Sequence, residues 1–424
     1  MNCIVLQSIK KDNRNSTFIR FQNAVNFKDF YSFAPICIIS LLLIAYPASI
    51  LAQTDTISCN PPHKFALEGM YQVGHVFATN PFVKGVNAET ESIKAYQAFS
   101  VKFSKQTSGQ KSWEQLYNYP QYGLGLYVAD FYNPEEIGTP IAVYGFINAP
   151  FKRWNKLTFN YEIGFGASFH WKAYNPVSNQ YNVALGGGES FLIDAGLNLQ
   201  YLVSNRIELS TGFSFTHFSN GAIRKPNLGL NTFAPKISLK YNFYDKPVFT
   251  RQTIPKYTAN NEWIISAYGG IKNVIFDSVN LPVLEKYEGL YFPVFGLSTM
   301  FNCQVSYKSK IGFGATLSYN GAVNAQAAVD NSDLEAVKGK FSDKILISIY
   351  PSYELVIDRV SLTLQPAFYV YRKKISNHSP VFHQRIGLKY QISDHLFIGI
   401  TLVDYQFHVS DFIEWNIGYR IKWN

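Results

Sequence analysis

The feature that most constrains this chain is a two-residue alternation of apolar and polar side chains, recurring from about residue 64 to the last residues. In the final segment Ile413, Trp415, Ile417, Tyr419, Ile421 and Trp423 alternate with Glu414, Asn416, Gly418, Arg420 and Lys422. Leu157, Phe159, Tyr161, Ile163 and Phe165 alternate in the same way with Thr158, Asn160, Glu162, Gly164 and Gly166. Successive strand residues point to opposite faces, so each segment reads as a strand with one greasy face and one polar face. The segments run about 10–14 residues, which suits a tilted strand that crosses a bilayer. Tyr and Trp gather toward segment ends, as an interfacial girdle requires, and Trp423 resembles the terminal aromatic signal of outer-membrane proteins. An apolar-faced sheet in lipid has to close, because an open edge leaves backbone groups unsatisfied. The fold class expected is therefore an all-β transmembrane antiparallel β-barrel.

Sixteen candidate strands begin near residues 64, 93, 122, 138, 157, 191, 206, 230, 261, 291, 309, 343, 360, 382, 395 and 411. A polar, proline-bearing stretch, Tyr244–Asn260, divides them into two groups of eight. One barrel of roughly 14–16 strands is the first expectation, and two tandem eight-stranded barrels are the alternative that this long linker favours. The division expected is 53–245 for the first set, 246–260 for the linker and 261–424 for the second set.

Composition removes other classes. Only 16% of the 424 residues are charged, yet a single long apolar run exists, Phe33–Leu51, where each helical span would need about 20 apolar residues. Lys10, Lys11, Arg14, Arg20 and Lys28 precede that run and Ala52-Gln53 follows it, which reads as a signal peptide on an N-terminal extension, residues 1–52. An exported β-protein of this kind belongs in the bacterial outer membrane. Beyond residue 52 two cysteines remain, Cys59 and Cys303, too few for a metal framework or a disulfide scaffold. No cofactor is expected. The net charge of +9 is scattered, without a basic aromatic module for nucleic acid, and suits phosphorylated lipid head groups instead.

Against this background one face carries unusual residues. Ile207, Leu209, Thr211, Phe213, Phe215, His217 and Ser219 share the odd-numbered apolar face of one segment. After the loop Gly221–Gly229 the same parity resumes as Asn231, Phe233, Pro235, Ile237 and Leu239. If both termini are periplasmic, the seventh strand rises and places His217 and Ser219 near the outer leaflet, with Asn231 across the hairpin from Ser219. A hydroxyl and an imidazole two residues apart on a strand are about 6.6 Å apart at the backbone, so their side chains can converge. Ester hydrolysis needs a nucleophile, a base and a group that holds the base in one tautomer. Ser219 fits the first role, His217 the second and Asn231 the third, while Asn220 or N–H groups of the Gly221-Ala222 turn fit an oxyanion hole. Arg224 and Lys225 in the adjoining loop are candidates for binding substrate phosphates.

The longer string HFSNGAIRKPNLGLN, His217 to Asn231, resembles the active-site segment of the lipid A 3-O-deacylase (PagL-type) outer-membrane esterases, related to acyloxyacyl hydrolases. The resemblance covers roughly residues 64–243 and implies Ser219 as nucleophile, His217 as base and Asn220 as an oxyanion donor. It also implies lipid A or lipopolysaccharide as partner. That family carries an acidic residue where this chain has Asn231, and Glu189 in the GGGES loop is a speculative substitute for the missing charge. The rival expectation is a non-catalytic barrel, a channel or structural protein with a degenerate site. A phospholipase or general lipid esterase would share the chemistry and differ in head group. His378-Ser379 and Gly186–Gly188 read as loops, Asp358-Arg359 as a turn and His170-Trp171 as part of an interfacial belt.

Overall fold

The computed structural model describes residues 64–243, 249–274, 286–287, 289–330, 340–373, 381–405 and 409–423. The signal-peptide segment, Cys59 and the His378-Ser379 pair lie outside them.

The first eight strands are β1 (Phe65–Val76), β2 (Ala95–Gln106), β3 (Gln121–Asp130), β4 (Gly138–Arg153), β5 (Leu157–Trp171), β6 (Ser190–Leu202), β7 (Ile207–Ser219) and β8 (Leu230–Asn242). The second eight are β9 (Asn260–Lys272), β10 (Phe292–Gln304), β11 (Ser309–Asn320), β12 (Ile345–Ile357), β13 (Val360–Tyr371), β14 (Phe382–Gln391), β15 (Leu396–Tyr405) and β16 (Val409–Trp423). Every strand starts within two residues of the position expected from alternation. All neighbours pair antiparallel, and each set closes on itself as a separate barrel. β8 returns to β1, with Ile237 opposite Tyr71, and β16 returns to β9, with Gly418 opposite Ser266. The single wide barrel is therefore not what forms; the two tandem eight-stranded barrels are. Two short helices, α1 (Ser112–Leu116) and α2 (Val323–Asp330), sit in loops, and no described helix is long and apolar enough to cross a membrane.

Alternation sorts the side chains as the sequence demands. On β7 the odd residues Phe213 and Phe215 are 54% and 40% exposed on the outward face, whereas Ser214 and Thr216 are buried inside. An eight-stranded interior is just wide enough for side chains to fill, and here they fill it with paired charge. In the first barrel Glu162 accepts from Lys102 at 2.7 Å and from Lys236 at 3.1 Å, and Lys240 meets Glu208 at 2.8 Å. In the second, Lys389 meets Glu354 at 2.6 Å, Lys310 meets Glu262 at 2.9 Å and Arg385 meets Glu414 at 2.6 Å. Buried charges persist only when paired in this way.

The turns 154–156 and 203–206 and the connection 107–120 lie at one end of the first barrel, and the loops 77–94, 131–137, 172–189 and 220–229, on the whole longer, lie at the other. That asymmetry is the pattern of short periplasmic turns and long outer loops, so the long-loop end is the outer rim. An apolar cluster closes the lumen there, built from Phe82, Tyr96, Phe131, Trp171 and Phe218 among others. Trp171 belongs to this plug, 4.9 Å from Phe218 ring to ring, and not to an interfacial belt, because the left-handed His170 breaks the alternation of β5 and turns it inward. Gly186–Gly188 lies in a loop and Asp358-Arg359 forms a turn, as expected.

Candidate active site

The site lies where β7 and β8 reach the outer rim. In the β7–β8 ladder Asn231 is directly opposite His217 and not Ser219, the residue expected across the hairpin, because the ladder ends at Phe218 and Leu230 and Ser219 pairs instead with Phe191 of β6. Both side chains share the outward face with Phe213, Phe215 and Phe233, and Phe213 stacks on Phe233 at 5.6 Å. His217 Nδ1 and Asn231 Oδ1 are 2.7 Å apart. At its other end Asn231 Nδ2 lies 3.3 Å from Thr79 Oγ1 in the β1–β2 loop. With Oδ1 as acceptor, Nδ1 carries the hydrogen, and Nε2 of the neutral ring is left as the acceptor. That is the tautomer a general base requires.

Ser219 closes β7 and is 8% exposed. Its Oγ accepts from Asn227 Nδ2 at 2.8 Å and from the Gly221 N–H at 3.1 Å. A hydroxyl has two acceptor positions and one hydrogen, so both acceptor positions are filled and the hydrogen remains to be given. Among the described residues no hydrogen bond joins Ser219 to His217; catalytic hydrogen bonds commonly tighten only when substrate binds. Asn227 is a contributor that residue-type reasoning passed over. Its signal lay in the string Pro226-Asn227-Leu228-Gly229, and its Oδ1 also accepts from the Asn220 N–H at 3.0 Å.

Gly229 is the second such residue. Its φ of +71° is the left-handed region, and a Cβ there would lie 2.9 Å from His217 Cε1. Glycine is thus needed both for the backbone and for the ring beside it. The loop is tied down by Asn80 Nδ2, which donates to Gly229 O at 2.9 Å, and by Gly229 N–H, which donates to Ala184 O at 3.0 Å.

The other expected residues fall nearby with distinct surroundings. Asn220 Nδ2 donates to Arg224 O at 2.8 Å, so one of its amide hydrogens is spent inside the loop. Arg224 is exposed, and the GGG loop packs beneath it, with its Cδ 3.8 Å from where a Gly187 Cβ would be. Lys225 turns toward the second barrel, where its Nζ donates to Asn273 O at 3.3 Å. Burial pushes that ammonium down to about 8, with Asp411 opposing the shift and Lys272 adding to it. Glu189 is exposed, and no described hydrogen bond links it to His217 or Ser219.

No curated protein matches the chain in sequence. Among solved structures it overlaps CdiB from Acinetobacter baumannii at 8% identity, covering 85% of this chain and 60% of that one, with a TM-score of 0.16. It overlaps Acinetobacter baumannii Omp33 at 7% identity over 85% and 98% of the two chains, with a TM-score of 0.16. For Pseudomonas aeruginosa OccK5 (OpdH) the figures are 10%, 85%, 97% and 0.18. The chain thus spans 60% of the length of CdiB and nearly all of the other two, and superpositions this poor carry nothing about function. The family models are more specific: residues 97–241 match "Lipid A 3-O-deacylase (PagL)" and residues 261–423 match "Acyloxyacyl hydrolase, C-terminal domain". With one match on each barrel, the chain belongs to the lipid A 3-O-deacylase (PagL) and acyloxyacyl hydrolase family of bacterial outer-membrane β-barrels.

Proposed function

We propose that this protein is an outer-membrane serine esterase that hydrolyses an ester-linked acyl chain of lipid A, with Ser219 as nucleophile, His217 as base and Asn231 as the group that orients the base. The observation that carries the reading is the 2.7 Å contact between His217 Nδ1 and Asn231 Oδ1, on the lipid-facing surface beside a serine whose hydrogen is uncommitted.

The chemistry follows from those positions. Ser219 Oγ attacks the ester carbonyl while its proton passes to His217 Nε2, and the resulting imidazolium keeps its Nδ1–H on Asn231. Charge that develops on the carbonyl oxygen meets the second amide hydrogens of Asn227 and Asn220, whose first hydrogens are given to Ser219 Oγ and Arg224 O. Collapse of the tetrahedral intermediate breaks the ester C–O bond, and His217 returns the proton to the departing sugar oxygen. Water then attacks the acyl-Ser219 ester with His217 again as base, releasing the fatty acid and restoring the hydroxyl. Throughout, the acyl chain stays in the bilayer along Phe77, Phe213, Phe215 and Phe233, four outward-facing aromatics below the site. Arg224, exposed on the rim, is placed for a lipid phosphate; Lys225 is a second candidate, although its ammonium is engaged by Asn273 O.

The test is mass spectrometry of lipid A from cells that express the wild type, Ser219→Ala or His217→Ala. Loss of one hydroxyacyl group in the wild type alone supports the reading and identifies the bond by mass. Unchanged lipid A in all three, with each protein folded in the outer membrane, refutes it. Fatty acid released from phospholipid instead would move the substrate to another lipid and keep the mechanism.

A further inference from the structure

The loop 220–229 performs three tasks at the site: Gly221 and Asn227 donate to Ser219 Oγ, and Gly229 flanks His217. The first barrel holds it through Leu228 N–H to Val183 O at 3.1 Å, Gly229 N–H to Ala184 O at 3.0 Å and the packing of Gly186 and Gly187 against Arg224 and Pro226. At Gly221 and Lys225 it meets the second barrel. A Cβ on Gly221 would collide with Ile413 Cδ1 and lie 3.5 Å from Leu402 Cδ1, and Lys225 Nζ donates to Asn273 O.

Ile413 and Leu402 are cross-strand partners on β16 and β15. They occupy the outward parity of those strands, where a side chain ordinarily meets lipid. Ile417, on the same face of β16, is 58% exposed, but Ile413 is only 6% exposed. The loop also contains two successive left-handed residues, Gly221 at φ +62° and Ala222 at φ +61°. An alanine adopts that conformation at a cost and keeps it only where its surroundings over-determine it. Ala222 is 1% exposed, so it has such surroundings.

We propose that the second barrel is a buttress for the nucleophile loop of the first, with Ile413 as a positioning residue that holds Gly221 against Ser219. The inference rests on the esterase reading for its catalytic consequence and on packing alone for its structural one. It assigns residues 261–424 a task in a reaction whose chemical groups all lie on the first barrel. The outward face of β15 and β16 at the outer rim is then a contact surface inside the molecule, held free of lipid.

The test uses the full chain in lipid A–detergent micelles and reads two quantities, hydrolysis kinetics and amide hydrogen exchange over 219–229. Ile413→Ala is expected to lower kcat about tenfold with KM within about twofold, since misplaced catalytic groups cost turnover before binding. The same variant should speed exchange over 219–229 about tenfold as the loop opens more often. Ile413→Leu should restore both, and the lipid-facing control Ile417→Ala should match wild type. Leu402→Ala removes a lighter contact and should move both quantities in the same direction, which serves if Ile413→Ala does not fold. Wild-type kcat and wild-type exchange in Ile413→Ala and Leu402→Ala would overturn the buttress and leave the esterase intact. If the wild type cleaves no ester, exchange alone decides: faster exchange upholds the buttress while the esterase reading falls, and unchanged exchange overturns the buttress as well.

Discussion

Replacing Asn231 by Asp isolates what charge contributes at the third position, because the two side chains have the same shape. Asn231 Oδ1 is already 2.7 Å from His217 Nδ1, and the carboxylate inherits that contact. The oxygen that replaces Nδ2 falls 3.3 Å from Thr79 Oγ1, and a hydroxyl donates as readily as it accepts. The substitution therefore adds one negative charge without losing a hydrogen bond. A neutral hydrogen bond contributes about 1 kcal/mol and one to a charged group about 1.5–3 kcal/mol. The difference, about 0.5–2 kcal/mol, appears when the imidazolium forms in the transition state and not while the ring is neutral. At about 1.4 kcal/mol per decade of rate, kcat should rise about 2- to 30-fold with KM little changed. The assay is initial-rate release of fatty acid from lipid A in mixed micelles by purified full-length variants. Heat-dependent gel migration verifies that each barrel is folded. Asn231→Ala is the mirror experiment: it strands the Nδ1 hydrogen and should cost about 1–3 kcal/mol, roughly 5- to 150-fold in kcat. A folded Asn231→Asp no faster than wild type, together with a fully active Asn231→Ala, would refute the idea that position 231 acts through the imidazole.

Other consequences are as open to measurement. Gly229→Ala brings a methyl within 2.9 Å of His217 Cε1 at a left-handed backbone, so kcat should fall at least about tenfold in a barrel that still folds. Arg224→Ala should raise KM for bisphosphorylated lipid A about three- to fivefold, as befits a solvent-exposed charge pair, while kcat and the KM for a dephosphorylated lipid A stay unchanged. Glu162→Gln removes the countercharge of Lys102 and Lys236 inside the first barrel and should destabilise it by about 3–5 kcal/mol, read as a lower urea midpoint for unfolding from micelles. Because both lumens are filled by side chains, the protein in planar bilayers should give no stepwise ion conductance; steady channels would contradict the packed interiors.

Much of this architecture was legible in the residues because it is local. Period two along a strand decides which side chains face lipid, and Ile413, Phe213 and His217 each fell on the face that parity assigned them. The same parity put His217, Ser219 and Asn231 on one face, but the register was not legible: Asn231 falls opposite His217 and not Ser219, because parity fixes a face and leaves shifts of two residues open. Closure was not legible. Whether the edge of β8 meets β1 or β9 depends on the pairing of edges far apart in sequence, and any antiparallel edge offers the same backbone groups. The interior decided it: Glu162, Lys102 and Lys236 come within contact only across an eight-stranded lumen. Trp171 shows the same limit, for an aromatic at a strand end suits a lipid girdle or a lumen plug, and the left-handed His170 before it turned it into the plug.

At the site the division is equally physical. Strand residues were found by parity, whereas the loop residues Asn227 and Gly229 have no period to betray them. Their roles come from where a turn of left-handed residues carries them, and that turn is set against Ile413 of the other barrel. By itself, then, the sequence determined the strands, their faces and the hairpin that carries His217, Ser219 and Asn231, all of which follow from neighbours along the chain. Only the tertiary structure decided that there are two barrels and that Ile413 of the second lies against Gly221 of the first, because those contacts join residues nearly two hundred positions apart.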